Sequence, residues 1–204
     1  MLLEDTYKTI KSPSEGLFKD RGSKFFSFAY PIVHESEVKA LTDNLRKVHF
    51  KAVHHCYAYR LGLDKSNFRV NDDGEPSGTA GKPILNTLLS YEITNVLVIV
   101  VRYFGGTLLG VPGLINAYKS ATVEAITLAD ILEKTVNNVY SIVFEFVQMN
   151  DVMRVVKEYN LKIRNQTYDN QCLIELEFRK SLTNQVVNKL EKIDNIVVEY
   201  LFTV

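Results

Sequence analysis

The sequence lacks the features that would tie it to a bilayer, a disulfide scaffold or a bulk polyanion. Cysteine occurs only at Cys56 and Cys172 in 204 residues. Two thiols so far apart exclude a disulfide framework and point to a reducing compartment. Long apolar runs are missing too. The longest aliphatic stretch, Val96 to Val101, has six residues, against the ~20 that a helical span needs. The N-terminal Met1-Leu-Leu-Glu-Asp-Thr6 has neither the basic start nor the apolar run of a secretory signal. Net charge is absent: Lys plus Arg number 24, and so do Asp plus Glu. Splitting the chain at residue 134 gives 16 basic and 15 acidic residues before it, and 8 and 9 after it. Bulk affinity for nucleic acid thereby finds no support, and any such contact must use a local patch. Neither an internal repeat nor a low-complexity segment occurs. These absences predict a cytoplasmic protein without membrane contact.

Hydrophobic residues make up 46% of the chain, enough for a buried core. Up to about residue 134, strands are expected near 5–11, 24–32, 52–61 and 95–102. Helices are expected near 35–48, 81–91 and 111–133. Pro112 suits the first turn of the last helix. Leu114, Ala117, Ala121 and Ala125 then give it a small-residue stripe for close packing. After a short polar join at 134–138, the pattern becomes strand 139–147, helix 151–159, strand 161–168, strand 172–178, helix to about 193 and strand 196–202. Asp169-Asn170 supply a hairpin-type turn between the middle strands. The order βαββαβ is that of a ferredoxin-like split unit. The predicted fold class is α+β, with an N-terminal domain over 1–134 and a ferredoxin-like C-terminal domain over 138–204.

Residues 71–118 concentrate the chemistry. In the strand Ala52-Val-His-His-Cys-Tyr-Ala-Tyr-Arg60, period-two alternation puts Ala52, His54, Cys56, Ala58 and Arg60 on one face. That face is small and polar, whereas Val53, His55, Tyr57, Tyr59 and Leu61 make a core face. His54 is either a buried polar group bonded to nearby backbone or a site residue. A zinc site finds two ligands at most here, and no Cys-x-x-Cys pair completes it. Asp72, Asp73 and Glu75 place three carboxylates within four residues. They can hold a divalent metal with water filling its shell, act as a general base, receive a cation, or simply make a solvated turn. Their spacing is not that of an EF-hand loop. Ser77 and Thr79 are natural caps for the helix that follows. The segment Arg102-Tyr-Phe-Gly105-Gly106-Thr-Leu-Leu-Gly110-Val-Pro-Gly113 joins a strand to a helix. Such a glycine-rich turn favours an anion, although it matches neither the dinucleotide fingerprint nor Walker A. Arg102 can clamp a phosphate or carboxylate, or bridge to Asp72, Asp73 or Glu75. The expected anion-binding residues are Arg60, Thr79, Arg102, Gly105, Gly106 and Gly110.

Three motifs carry a resemblance to the IMPACT/YigZ family: Ala52-x-His54-x-Cys56-Tyr-Ala-Tyr-Arg60, Asp72-Asp-Gly-Glu-Pro-Ser-Gly-Thr-Ala-Gly81-x-Pro83, and Val101-Arg-Tyr-Phe-Gly-Gly106. Leu109-Gly110, Gly113-Leu114 and Ala117-Tyr118 continue the match. The resemblance implies an N-terminal domain similar to the second domain of a small-ribosomal-subunit protein. It implies a C-terminal domain similar to the last domain of elongation factor G. With these come regulation of translation and association with RNA or the ribosome. In the eukaryotic members the role is regulation of initiation under stress, through an extra N-terminal protein-binding domain; this chain begins almost directly with the IMPACT-type domain. It also has Leu108, Pro112 and Asn116 where many members have Lys, Gly and Arg. Two positive charges are therefore missing beside the expected anion site, which weakens phosphate affinity there.

The functional expectation is a translation-associated protein that binds RNA or the ribosome through the face holding His54, Arg60 and Arg102. The alternative is a hydrolase acting on a small anionic substrate between the two glycine-rich loops. There His54 is the acid or base, Asp73 and Glu75 orient it or hold a metal, and Gly105-Gly106 steady the anion. Cys56 is a weaker candidate nucleophile. A third reading makes the ferredoxin-like sheet a docking face for a protein partner. No resident cofactor is expected.

Overall fold

Val96 to Val101 are apolar at every position because both faces of the strand they form are covered. Leu97, Ile99 and Val101 enter one buried cluster, while Val96, Val98 and Val100 enter another. A computed structural model describes residues 5–63 and 66–204. By contact the chain divides into two compact units, residues 7–134 and residues 135–204 with Asp5 and Thr6.

In the first unit the elements run β1 (Thr6–Ile10), β2 (Ser14–Asp20), β3 (Ser23–Pro31), α1 (Ser36–Val48), β4 (His54–Leu61), β5 (Asn67–Asn71), α2 (Gly81–Ser90), β6 (Val96–Tyr103), α3 (Gly110–Thr127) and β7 (Ile131–Thr135). The main sheet has the order β2-β3-β6-β4-β5, and each adjacent pair is antiparallel. Helix α1 covers one face, packing Val38 and Leu45 with Leu97, Ile99 and Val101. Helices α2 and α3 cover the other, where Ile84, Leu88, Ala117 and Ala121 meet Cys56, Ala58 and Val98. The alanine stripe of α3 is therefore the close-packing face its residues predict. β1 and β7 form a separate two-stranded sheet.

The second unit runs β8 (Asn137–Phe144), α4 (Met149–Glu158), β9 (Lys162–Tyr168), β10 (Cys172–Arg179), α5 (Thr183–Leu190) and β11 (Val197–Thr203). Its sheet has the order β11-β8-β10-β9, antiparallel throughout. This is the βαββαβ arrangement. Val152, Val155 and Val156 of α4 and Val186 and Leu190 of α5 close the core against Ile142, Ile174 and Leu176.

Four differences from expectation share one cause, pairing with a partner strand. Strands β2, β5 and β7 are not foreseen, and the helix expected over 111–133 stops at Thr127. β2 and β5 are the two edges of the main sheet, where polar residues are tolerated on both faces. β7 exists because residues from 131 onward pair with β1, more than a hundred positions away; tertiary pairing overrides a helical local pattern.

Candidate functional site

The antiparallel register of β4 on β6 sets His54 directly opposite Arg102. The loop after β5 then crosses beneath them. It turns at Asp73 and Gly74, both with positive φ (40° and 87°), and the Glu75 N–H closes it on the Asp72 carbonyl at 2.9 Å. An Asp-Gly pair with φ positive at both central positions has the dihedral signature of a type I′ turn. The turn delivers the Glu75 carboxylate under the sheet end. Its Oε1 accepts Arg102 Nη1 at 2.7 Å and the Tyr118 hydroxyl of α3 at 2.7 Å, and lies 3.9 Å from His54 Nε2. Glu75 and Arg102 are only 8% and 6% exposed. The guanidinium also lies near the rings of Phe25 and Phe104, 5.5 and 5.6 Å from their centroids. A buried charge survives only when paired and hydrogen-bonded, and this pair meets that condition.

His54 Nδ1 lies 2.8 Å from the Asp73 carbonyl oxygen. A carbonyl only accepts, so Nδ1 carries the proton and Nε2 is the acceptor of the neutral ring. The bland expectation for His54, a bond to nearby backbone, is realised, and the ring still lines a cleft. Cys56 lies deeper. Its thiol donates to the Asp72 carbonyl at 3.0 Å and sits 3.3 Å from the Tyr118 hydroxyl. Burial pushes the Cys56 thiol far above its ordinary range. Burial first, and then Cys56 and Glu75, do the same to the Tyr118 phenol. Neither group is a nucleophile at neutral pH.

Above this floor is a cleft of about 420 Å³, lined among others by Val53, His54, Glu75, Arg102, Phe104 and Leu108. Its far wall is the start of α3, at Leu109, Gly110 and Val111. Segments near 54, 75 and 102–110, distant in sequence, thus share one recess.

Other expected site residues lie elsewhere. The three neighbouring carboxylates diverge. Asp72 reaches the start of α2, where Oδ1 accepts the N–H groups of Ala80 and Gly81 and Oδ2 accepts that of Gly78, at 2.8–3.0 Å. It caps α2 in place of Ser77 or Thr79. Thr79 instead donates its hydroxyl to the Pro76 carbonyl at 2.6 Å. Asp73 turns to the opposite side, taking Arg46 Nη2 and the His55 N–H at 2.6 Å each. Asp72, Asp73 and Glu75 therefore share no centre, and among the described residues no group of three or more His, Cys, Asp or Glu is placed to hold a metal. Arg60 pairs with Val96 at the far end of β4, and one of its bonds goes to the Ile93 carbonyl. Gly105 packs on the turn between β2 and β3 and gives its N–H to Ser23 Oγ at 3.1 Å. Gly106 stands in open space. Neither lines the cleft; Gly110 does.

Tyr118, which helps hold Glu75, is not foreseen among the site residues, since it stands inside a stripe that reads as packing. A lone hydroxyl beside Ala117 and Ala121 was the available signal, because a buried tyrosine needs a partner.

The Impact N-terminal domain model matches residues 21–126, which include every cleft residue. The chain is 34% identical to IMPACT family member YigZ of Escherichia coli over 140 residues, 68% of this chain and 69% of that protein. It is 27% identical to IMPACT family member YvyE of Bacillus subtilis over 190 residues, 93% of this chain and 88% of that protein. A crystal structure of a hypothetical protein superposes with a TM-score of 0.70 at 26% identity, covering 98% of this chain and 99% of the other. Yih1, described as a two-domain translational regulator, shares 27% identity over 62% of this chain and 48% of its own, but its TM-score of 0.36 carries no structural argument.

Proposed function

The chain belongs to the IMPACT family, and from that membership we propose that it is a translation-associated binding protein whose recognition site is the His54–Glu75–Arg102 cleft. Its partner in this reading is the ribosome or its RNA, in the cytoplasm. The proposal includes the likeness of the first unit to a small-ribosomal-subunit protein and of the second to the last domain of elongation factor G. One observation carries the site: residues from all three family motifs and from α3 build a buried ion pair under apolar walls. A buried ion pair beneath a preformed apolar recess suits recognition.

The geometry also redistributes the charges expected to meet RNA. Arg102 spends its charge on Glu75, and Arg60 is at the other end of its strand. Cations open to phosphate include Lys82 and Lys119, which flank a groove of about 480 Å³ between α2 and α3. Among the described residues neither has an acidic partner. They supply the salt-dependent part of binding, and the cleft supplies the rest.

Co-sedimentation with purified ribosomes tests the reading. Wild-type chain should pellet with ribosomes at low salt, and Lys82→Ala with Lys119→Ala should flatten the salt dependence. Leu108→Asp, at a position 81% exposed, should release the chain. Absence of pelleting at low salt, or pelleting indifferent to all three changes, would remove the proposal.

A hydrolytic alternative keeps one point in its favour, the tautomer that leaves His54 Nε2 free to accept a proton. The Asp73 carboxylate is turned away from it and Cys56 is protonated, so water would have to be the nucleophile. Turnover of a small anionic ester that is lost in His54→Gln would favour it.

A further inference from the structure

We infer that the cleft takes a carboxylate carrying an apolar body, presented either by a small acid or by the C-terminal residue of a polypeptide. The inference rests on the cleft being the recognition site.

Three features of the recess meet in that ligand. The first is an incomplete arginine. Arg102 lines the cleft and is more than nine-tenths buried, yet among the described residues only Nη1 has an acceptor, Glu75; Nε is enclosed and unpaired, and Nη2, also unpaired, is not among the enclosed atoms. A guanidinium offers five donors in a planar fork, and a carboxylate is the group whose two oxygens match it. Nη2 is the donor of the fork left open to a second acceptor at the cleft.

The second is the start of α3. This 18-residue helix opens on the cleft at Leu109, Gly110 and Val111, and among the described residues no side chain caps it. Free N–H groups and the helix dipole there favour a negative charge. Gly110 keeps that end open: a Cβ on it would meet nothing closer than 4.0 Å.

The third is the wall. Val53, Phe104, Leu108 and Val111 are all exposed apolar side chains around the recess. They bury hydrocarbon well and would strip water from a phosphate dianion. Glu75 on the floor adds repulsion that a second ligand charge would double. A single charge on an apolar body satisfies the arginine, the helix end and the walls together.

Calorimetric titration of the full chain tests this with two pairs of probes. One pair is 4-phenylbutyrate and its amide. The other is the acetylated peptide Gly-Ala-Leu-Phe with a free carboxylate and with a C-terminal amide. Each acid that binds should do so one to one and about tenfold or more tighter than its amide. Leu108→Asp should weaken the acid by a similar factor without touching the fold. Arg102→Gln should erase the acid-over-amide preference, with circular dichroism confirming that it folds. A stronger response to the peptide acid assigns the site to polypeptide C-termini, and an equal or stronger response to phenylbutyrate assigns it to small acids. Acid and amide binding alike, or no saturable heat from either acid at ~10 mM, overturns the inference. Selective acid binding in a chain that ignores ribosomes would instead remove the translation reading and leave this one standing.

Discussion

Arg102 Nη1 donates to Glu75 Oε1 at 2.7 Å, and both side chains are held almost wholly out of water. Removing one member leaves a buried charge without its partner. Arg102→Ala or Glu75→Ala should each cost about 3–5 kcal/mol, read from urea unfolding midpoints. The double change to methionine at both positions should cost clearly less than the sum of the two single losses, because no charge is left stranded. Additive losses would show that the two groups are not coupled.

Asp72 should matter as a helix cap. Its carboxylate accepts three N–H groups around the start of α2. Asp72→Ala should destabilise the chain by about 2 kcal/mol. Ser77→Ala should change stability by a few tenths at most, since that residue caps nothing here. Thermal unfolding of the two variants side by side checks the contrast.

That contrast shows how far local sequence can be read. The βαββαβ order of residues 137–203 was legible because each element carries its own period, as in Val152, Val155 and Val156 against Ile174, Leu176 and Phe178. Central strands β3, β4 and β6 were legible for the same reason. The edges β2 and β5 were not, because their partners rather than their polarity make them strands. At the site, His54, Glu75 and Arg102 could be named from their motifs, but the destinations of Asp72 and Asp73 could not. A type I′ turn throws adjacent carboxylates to different sides, and only the helix start and Arg46 decide which goes where.

The two adjacent glycines of the loop after β6 should respond differently. A Cβ at Gly105 would fall 2.0 Å from the Gly22 carbonyl carbon and 2.2 Å from the Ser23 nitrogen. Backbone cannot yield as a flexible side chain can, so Gly105→Ala should be severely destabilising, with loss of soluble folded chain. Gly106 has φ +87° and open space around it. Gly106→Ala should cost only the left-handed strain of about 1–2 kcal/mol. Melting temperatures and soluble yield separate the two.

His55 makes stability depend on pH. It is buried, and burial first and Arg46 second lower its pKa. The unfolded chain therefore binds this proton more readily than the folded one. Its contribution is fully present above the unfolded pKa of about 6.5 and is lost as the pH falls from there through the lower folded value. Unfolding midpoints should drop between pH 7.5 and pH 5.5, and His55→Phe should drop less over the same interval.

The most direct test of the cleft as recognition site uses the burial of both native thiols, Cys56 and Cys172. A Leu108→Cys variant presents one accessible thiol at the cleft rim, and a Lys39→Cys variant presents one on α1, on the opposite face of the sheet. Each is labelled with a maleimide photo-cross-linker and irradiated with purified ribosomes. The account predicts a discrete cross-link from position 108 that 4-phenylbutyrate competes away, and none from position 39. Equal cross-linking from both positions, or from position 39 alone, would contradict it.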